Sequence, residues 1–175
     1  MASRREPARR RPCVRSPRAA ALEAGLFPAD ASLLWQCGAL SLGRFQSFGV
    51  KGRIAVEAFL DPVADAYAAA DLVVSRAGAM TLAGLAAWGL PAVLVPLPSA
   101  AAGHQLSNAK ALAQAGAATL FEQADLSGSS LAGAVSTLLL DPARMADLGS
   151  RMVARARPDA AAVIAAEALK LVPRT

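Results

Sequence analysis

Between residues 70 and 121 the chain repeats one arrangement twice and begins it a third time: a short apolar run, a turn of small residues, Pro or Gly, then a helical pattern. Leu72-Val73-Val74 comes first, followed by Ser75-Arg76-Ala77-Gly78-Ala79 and then Met80–Trp88. In that last segment Leu82, Leu85 and Ala86 recur at helical spacing. Gly89 and Pro91 end it, as helix C-termini prefer. Ala92-Val93-Leu94-Val95 is the second run, the Pro96–Gly103 loop the second turn, and His104–Gln114 the second helix, stopped at Gly116. Ala117–Phe121 is the third run. Such runs are too short for helices and lack the polar alternation of a half-exposed strand. They read as strands of a parallel sheet, buried on both faces. Parallel strands need crossovers, and the intervening helices supply them. The predicted fold class is therefore α/β: a Rossmann-like parallel sheet with helices on both faces.

The flanks continue the pattern. Ala31–Cys37 and Arg53–Ala58 are further candidate strands. Asp61-Pro62 is expected to open a helix running to about Ala70, with Asp as the cap and Pro in the first turn. Helices are also predicted over Ser127–Leu140, from Asp141-Pro142 to about Ala156, and over Pro158–Leu171. Trp35 and Trp88 each lie in apolar sequence and are expected in the core. Residues 1–20 differ: Pro7, Pro12 and Pro17 break any helix, and this segment is expected to be a disordered Arg/Pro-rich tail ahead of one domain over 21–175.

That tail distorts the charge of the whole. The 175 residues carry a net +5 and a pI near 10.0. Seven Arg and one Glu fall within residues 1–20, so the remaining 155 carry a net of −1. Nucleic-acid binding needs basic residues clustered on a folded surface, which the body lacks. Ala supplies 44 residues and aromatics only 5%, so the core leans on Leu and Val. Two cysteines, Cys13 and Cys37, make no disulfide framework and suit a reducing compartment. With a single histidine, His104, they make no zinc site of the usual spacing. The uncharged stretch Ala77–Ala109 is interrupted by Gly89, Pro91, Pro96, Pro98 and Gly103 and does not read as a membrane span.

In a parallel α/β sheet, ligands sit beyond the carboxyl ends of the strands. Two loops, Ser75–Ala79 and Pro96–His104, should lie there side by side. Gly78, Ala79, Met80 and Thr81 place backbone N–H groups at a helix N-terminus, a geometry that attracts phosphate. A tight βα turn that needs Gly for packing alone would carry the same spacing. His104 and Gln105 open the next helix, with Asn108 one turn on; Gln105 can donate and accept, which suits sugar hydroxyls. A solvated helix start reads the same way. Arg76 reads either as a phosphate clamp or as a structural ion-pair partner; it precedes the anion turn rather than capping it, and the structural role is favoured. No Ser–His–Asp arrangement and no paired carboxylates stand out.

The motifs SRAGAMT, GLPAVLVPLP and HQLSNA, in this order across Ala70–Ala118, closely resemble the carboxyl-terminal domain of the MurG family of N-acetylglucosaminyltransferases. Weaker similarity runs back through FLDPVADAY (Phe59–Tyr67) to WQCG (Trp35–Gly38) and forward to the last helix. The resemblance implies the carboxyl-terminal half of a GT-B glycosyltransferase, which binds the nucleotide-sugar donor. It implies Phe59 and Leu60 at the uracil, Gly78, Ala79, Met80 and Thr81 at the diphosphate, and His104 and Gln105 at the sugar. The implied donor is UDP-N-acetylglucosamine; the acceptor is a lipid-linked muramoyl-pentapeptide, at the cytoplasmic face of the inner membrane. No metal or other cofactor, no nucleic acid and no catalytic residue of this half is implied, the general base being expected in the amino-terminal domain. Contact with the membrane would be peripheral.

Three departures from the family pattern qualify this. Gly84 stands where the family has a Glu for the ribose hydroxyls. Ala102 and Gly103 replace acidic residues before the HQ pair. Arg/Pro sequence stands where the family has its first strand and a Gly/Ser-rich phosphate loop. The first strand is thus expected to be missing, and the chain reads as a fragment with little transferase activity of its own. A non-catalytic nucleotide-sugar-binding remnant and another GT-B glycosyltransferase are the alternatives.

Overall fold

A computed structural model describes residues 22, 25–28, 30–100 and 103–171. The tail predicted over 1–20 lies outside them. Among the described residues five strands, all paired in parallel, form two sheets. In the first, β1 (Leu33–Gln36) pairs with β2 (Ile54–Glu57), Leu33 opposite Ile54. In the second, the order is β3 (Val73–Ser75), β4 (Ala92–Leu94), β5 (Thr119–Leu120). Among the described residues seven helices join and follow them: α1 (Ala39–Phe45), α2 (Val63–Ala68), α3 (Ala79–Trp88), α4 (His104–Gln114), α5 (Gly128–Leu139), α6 (Pro142–Val153) and α7 (Ala160–Lys170). The α/β class expected from the repeated pattern is what the chain adopts. Among the described residues the first strand is β1, so neither the family's opening strand nor its phosphate loop is seen there.

β4 shows how both faces are covered. Its three residues are all buried. Ala92 and Leu94 pack with Leu85 and Ala86 of α3, Ala109 of α4 and Met152 of α6. Val93 leaves the other face and packs with Leu131, Val135 and Leu138 of α5 and Leu148 of α6. Alternation along a strand sends neighbours to opposite faces, so a run without polar residues can only sit between two helical layers. Each buried Leu or Val side chain stabilises by about 1.5–3 kcal/mol. The small sheet has a separate aromatic core: Trp35 lies 4.7 Å from Phe45 of α1, ring centre to ring centre.

Local signals set most helix ends. Asp141 Oδ1 accepts from Arg144 N–H at 2.9 Å, with Pro142 in the first turn of α6, as expected. Ser127 and Ser130 exchange bonds in a capping box that starts α5. Gly89 closes α3 with φ 64°. Gly149 of α6 is where α6 meets the end of α3: a Cβ there would stand 2.8 Å from the Gly89 carbonyl oxygen.

The structure departs from these expectations in several places. Asp61 does not cap α2; Pro62 is the cap residue, in extended conformation, and the helix starts one residue later than Asp61 could reach. Trp88 is not core but 49% exposed, as the last residue of α3. α1 and the 3-10 turn Gln46–Phe48 fill a stretch with no helical pattern strong enough to read. The strands are not one sheet but two. The last helix begins at Ala160, and every one of its residues is exposed, Ile164 and Leu169 included.

Candidate nucleotide-sugar site

The turn after β3 has the geometry of an anion site. Gly78 precedes α3 in extended conformation, and no side chain caps the helix. The first N–H groups of any helix lack an intrahelical acceptor. Here they belong to Ala79, Met80 and Thr81, and the helix dipole adds partial positive charge. Gly78 is not demanded by packing: its φ is −69°, and a Cβ would meet nothing nearer than Thr81 Oγ1 at 3.9 Å. The space in front of these amides is open, and Met80 is 86% exposed.

Three side chains tie together this turn, the loop after β4 and the start of α4. Arg76 Nη1 donates to the carbonyls of Val95 at 3.0 Å and Pro96 at 3.2 Å. Burial lowers the pKa of its guanidinium from the usual value. The structural role favoured for Arg76 is what it performs, through carbonyls rather than an acidic partner. Asn108 Nδ2 donates to the Ala77 carbonyl at 3.2 Å. Gln105 Oε1 accepts from Leu97 N–H at 3.0 Å. Through Asn108 the first turns of α4 stand directly beside the anion turn. His104, exposed, is the first residue of α4 and follows Gly103 in left-handed conformation with φ 67°. Gln105 is expected both to donate to and to accept from sugar hydroxyls. Its oxygen is engaged, and only its amide donors remain.

A second cleft lies past the carboxyl ends of β1 and β2. Leu34, Glu57, Phe59, Leu60, Asp61, Pro62, Asp65 and Ala66 line a space of about 370 Å³. Phe59 is 67% exposed, unusual for an aromatic ring of a folded domain. Gln36 Oε1 accepts from Leu60 N–H at 3.0 Å and ties the cleft to the end of β1. The two halves of the site meet through α2 and α3. The Tyr67 ring packs at Gly84, where a Cβ would be 2.9 Å from Cε2. The residue reading missed Gln36 and Tyr67. Gln36 ends a strand beside the cleft, and that position was its only signal. Tyr67 had none. Among the described residues no group of three or more His, Cys, Asp and Glu side chains could hold a metal ion.

Residues 16–164 match the sequence family described as the glycosyltransferase family 28 C-terminal domain. A UDP-N-acetylglucosamine--N-acetylmuramyl-(pentapeptide) pyrophosphoryl-undecaprenol N-acetylglucosamine transferase of Sorangium cellulosum is 45% identical over 127 residues, 73% of this chain and 31% of its own length. The protein of that name from Salinibacter ruber is 40% identical over 154 residues, 85% of this chain and 40% of its own. The crystal structure of Acinetobacter baumannii MurG superposes with a TM-score of 0.70 at 31% identity, covering 79% of this chain and 42% of that one. The glycosyltransferase VinC, solved in complex with DTDP, shares the fold with a TM-score of 0.63 at 18% identity, covering 77% of this chain and 32% of its own. The chain thus spans between three and four tenths of the length of the curated relatives it matches.

Proposed function

Because this chain belongs to the glycosyltransferase family 28 C-terminal domain family, we propose that it is the donor-binding half of an N-acetylglucosaminyltransferase of peptidoglycan synthesis. The donor is UDP-N-acetylglucosamine. Its pyrophosphate lies on the amides of Ala79, Met80 and Thr81, with Gly78 leaving the approach open. Its uracil enters the cleft at Phe59 and Leu60. Its sugar hydroxyls meet His104 and the amide donors of Gln105. The observation that carries this reading is the Asn108–Ala77 hydrogen bond, which sets a helix start bearing two hydroxyl-binding side chains against an anion turn.

The reaction is an inverting transfer. The C4 hydroxyl of a lipid-linked muramoyl acceptor attacks C1 of the sugar from the face opposite UDP. The C1–oxygen bond breaks, and its electron pair leaves on the β-phosphate. Amide N–H groups aimed at that phosphate stabilise the developing charge. The acceptor site and the base that takes the hydroxyl proton are assigned to the amino-terminal half of the relatives. The acceptor is a lipid, so the enzyme works at the cytoplasmic membrane face. Among the described residues no helix is long and apolar enough to cross a membrane.

Calorimetric titration of the chain with UDP-N-acetylglucosamine, UDP-glucose and UDP tests this. The expected order is UDP-N-acetylglucosamine tightest. His104→Ala should remove about one decade of the preference over UDP, the worth of one good hydrogen bond. No heat with any of the three would overturn the reading.

A further inference from the structure

The hydrogen bond between Gln36 and Leu60 determines which end of the Gln36 carboxamide faces where. Leu60 N–H can only donate, so the oxygen of the carboxamide must face it, and the nitrogen must face away. Among the described residues no acceptor takes the two N–H groups of that nitrogen. Gln36 and Leu34 lie two apart on β1, so their side chains leave the same face of the sheet. Leu34 lines the cleft, and so does Leu60, to which Gln36 is bonded. A pinned carboxamide with a spare pair of donors therefore stands beside a cleft lined by Leu34, Leu60 and the exposed Phe59 ring together with the carboxylates of Glu57, Asp61 and Asp65.

We propose that Gln36 reads the nucleobase, donating from its amide nitrogen to a ring carbonyl of a pyrimidine seated in this cleft. The inference rests on the nucleotide-sugar reading above and adds a residue to it. Leu60 acts as the positioning partner: its N–H holds the carboxamide in one orientation, so that a donor is presented without first losing rotational freedom.

Gln36→Glu separates this role from a structural one. The carboxylate keeps an acceptor for Leu60 N–H and has no donor for a base. The measurements are the affinities of the whole chain for UDP and for inorganic pyrophosphate, with the melting temperature alongside. The expected result is a fall of about tenfold in UDP affinity with pyrophosphate affinity and melting temperature unchanged. Equal UDP binding by the variant and the wild type overturns the proposal. So does a parallel fall for UDP and pyrophosphate, which reports the added negative charge alone. If the variant melts early, Gln36→Met, which has neither charge nor donor, takes its place with the same two ligands. Absence of UDP binding by the wild type is a separate outcome and sinks the donor-site reading as well.

Discussion

The ring of Tyr67 occupies the place where a side chain at position 84 would begin, its Cε2 atom 2.9 Å from the Cβ that Gly84 lacks. The absence of a side chain at Gly84 is therefore what makes room for the ring. α2 settles onto α3 through that missing side chain, and the Tyr67 hydroxyl is drawn out of water, which raises its pKa above the ordinary 10.0.

Tyr67 is the only tyrosine, so an absorbance titration reads it alone. In the unfolded chain it ionises near 10; in the folded chain it ionises higher. Its contribution to stability is then fully present below about pH 10 and is lost as the pH rises through the raised value. Gly84→Glu must swing the ring outward, a movement the end of a flexible side chain can make. The expected result is a tyrosine titrating closer to its ordinary value and UDP-N-acetylglucosamine bound about tenfold tighter, from the restored carboxylate. An unchanged titration curve would show that the ring does not fill that space.

Gly149 and Gly133 make a matched pair. Both lie inside helices, where Ala is favoured over Gly by about 1 kcal/mol. At Gly133 a Cβ meets nothing within 4 Å, so Gly133→Ala should raise the melting temperature by a few degrees. At Gly149 it meets the Gly89 carbonyl oxygen at 2.8 Å. That neighbour is backbone and cannot turn aside, so overpacking costs about 1–3 kcal/mol and outweighs the helical gain. Gly149→Ala should melt earlier than wild type, and thermal unfolding of the two variants checks the opposite signs.

Asn108 and Arg76 are expected to matter for stability and for binding alike. Asn108→Ala strips the partner from the carbonyl of Ala77, a fully buried residue. Leaving such a group unpaired costs about 1–3 kcal/mol. Arg76→Met removes the partner of two carbonyls, those of Val95 and Pro96. Each variant should lower the melting temperature by several degrees. Each should also weaken pyrophosphate binding more than the cap variant Asp141→Ala, which destabilises by about 1 kcal/mol far from the turn. Equal pyrophosphate affinity in all three would show that the clasp does not shape the anion turn.

Much of the fold was legible because its signals are local. The β4 run Ala92-Val93-Leu94 has no polar residue, and only a strand between two helical layers tolerates that. Asp141 with Pro142, and Gly89 ahead of Pro91, mark helix ends through contacts made within a few residues. The anion turn and the His104-Gln105 pair were legible for the same reason, as residues placed at helix starts that follow strands. Asp61-Pro62 misled because the same dipeptide can stand just outside a helix, and nothing within the dipeptide distinguishes the two. Trp88 misled because apolar neighbours in sequence do not say which side of a helix turns inward.

The sequence by itself determined the class of fold, the order of its strands and of the helices from α2 onward, and the two turns where a ligand could sit, since these follow from short-range periodicity and capping. Tertiary structure alone decided what Gln36, Tyr67, Arg76, Gln105 and Asn108 do. Their partners are backbone groups or glycines lying 8 to 31 residues away. A hydrogen-bond partner or a vacant Cβ at that separation is selected by how the layers pack, and packing is a property of the assembled chain.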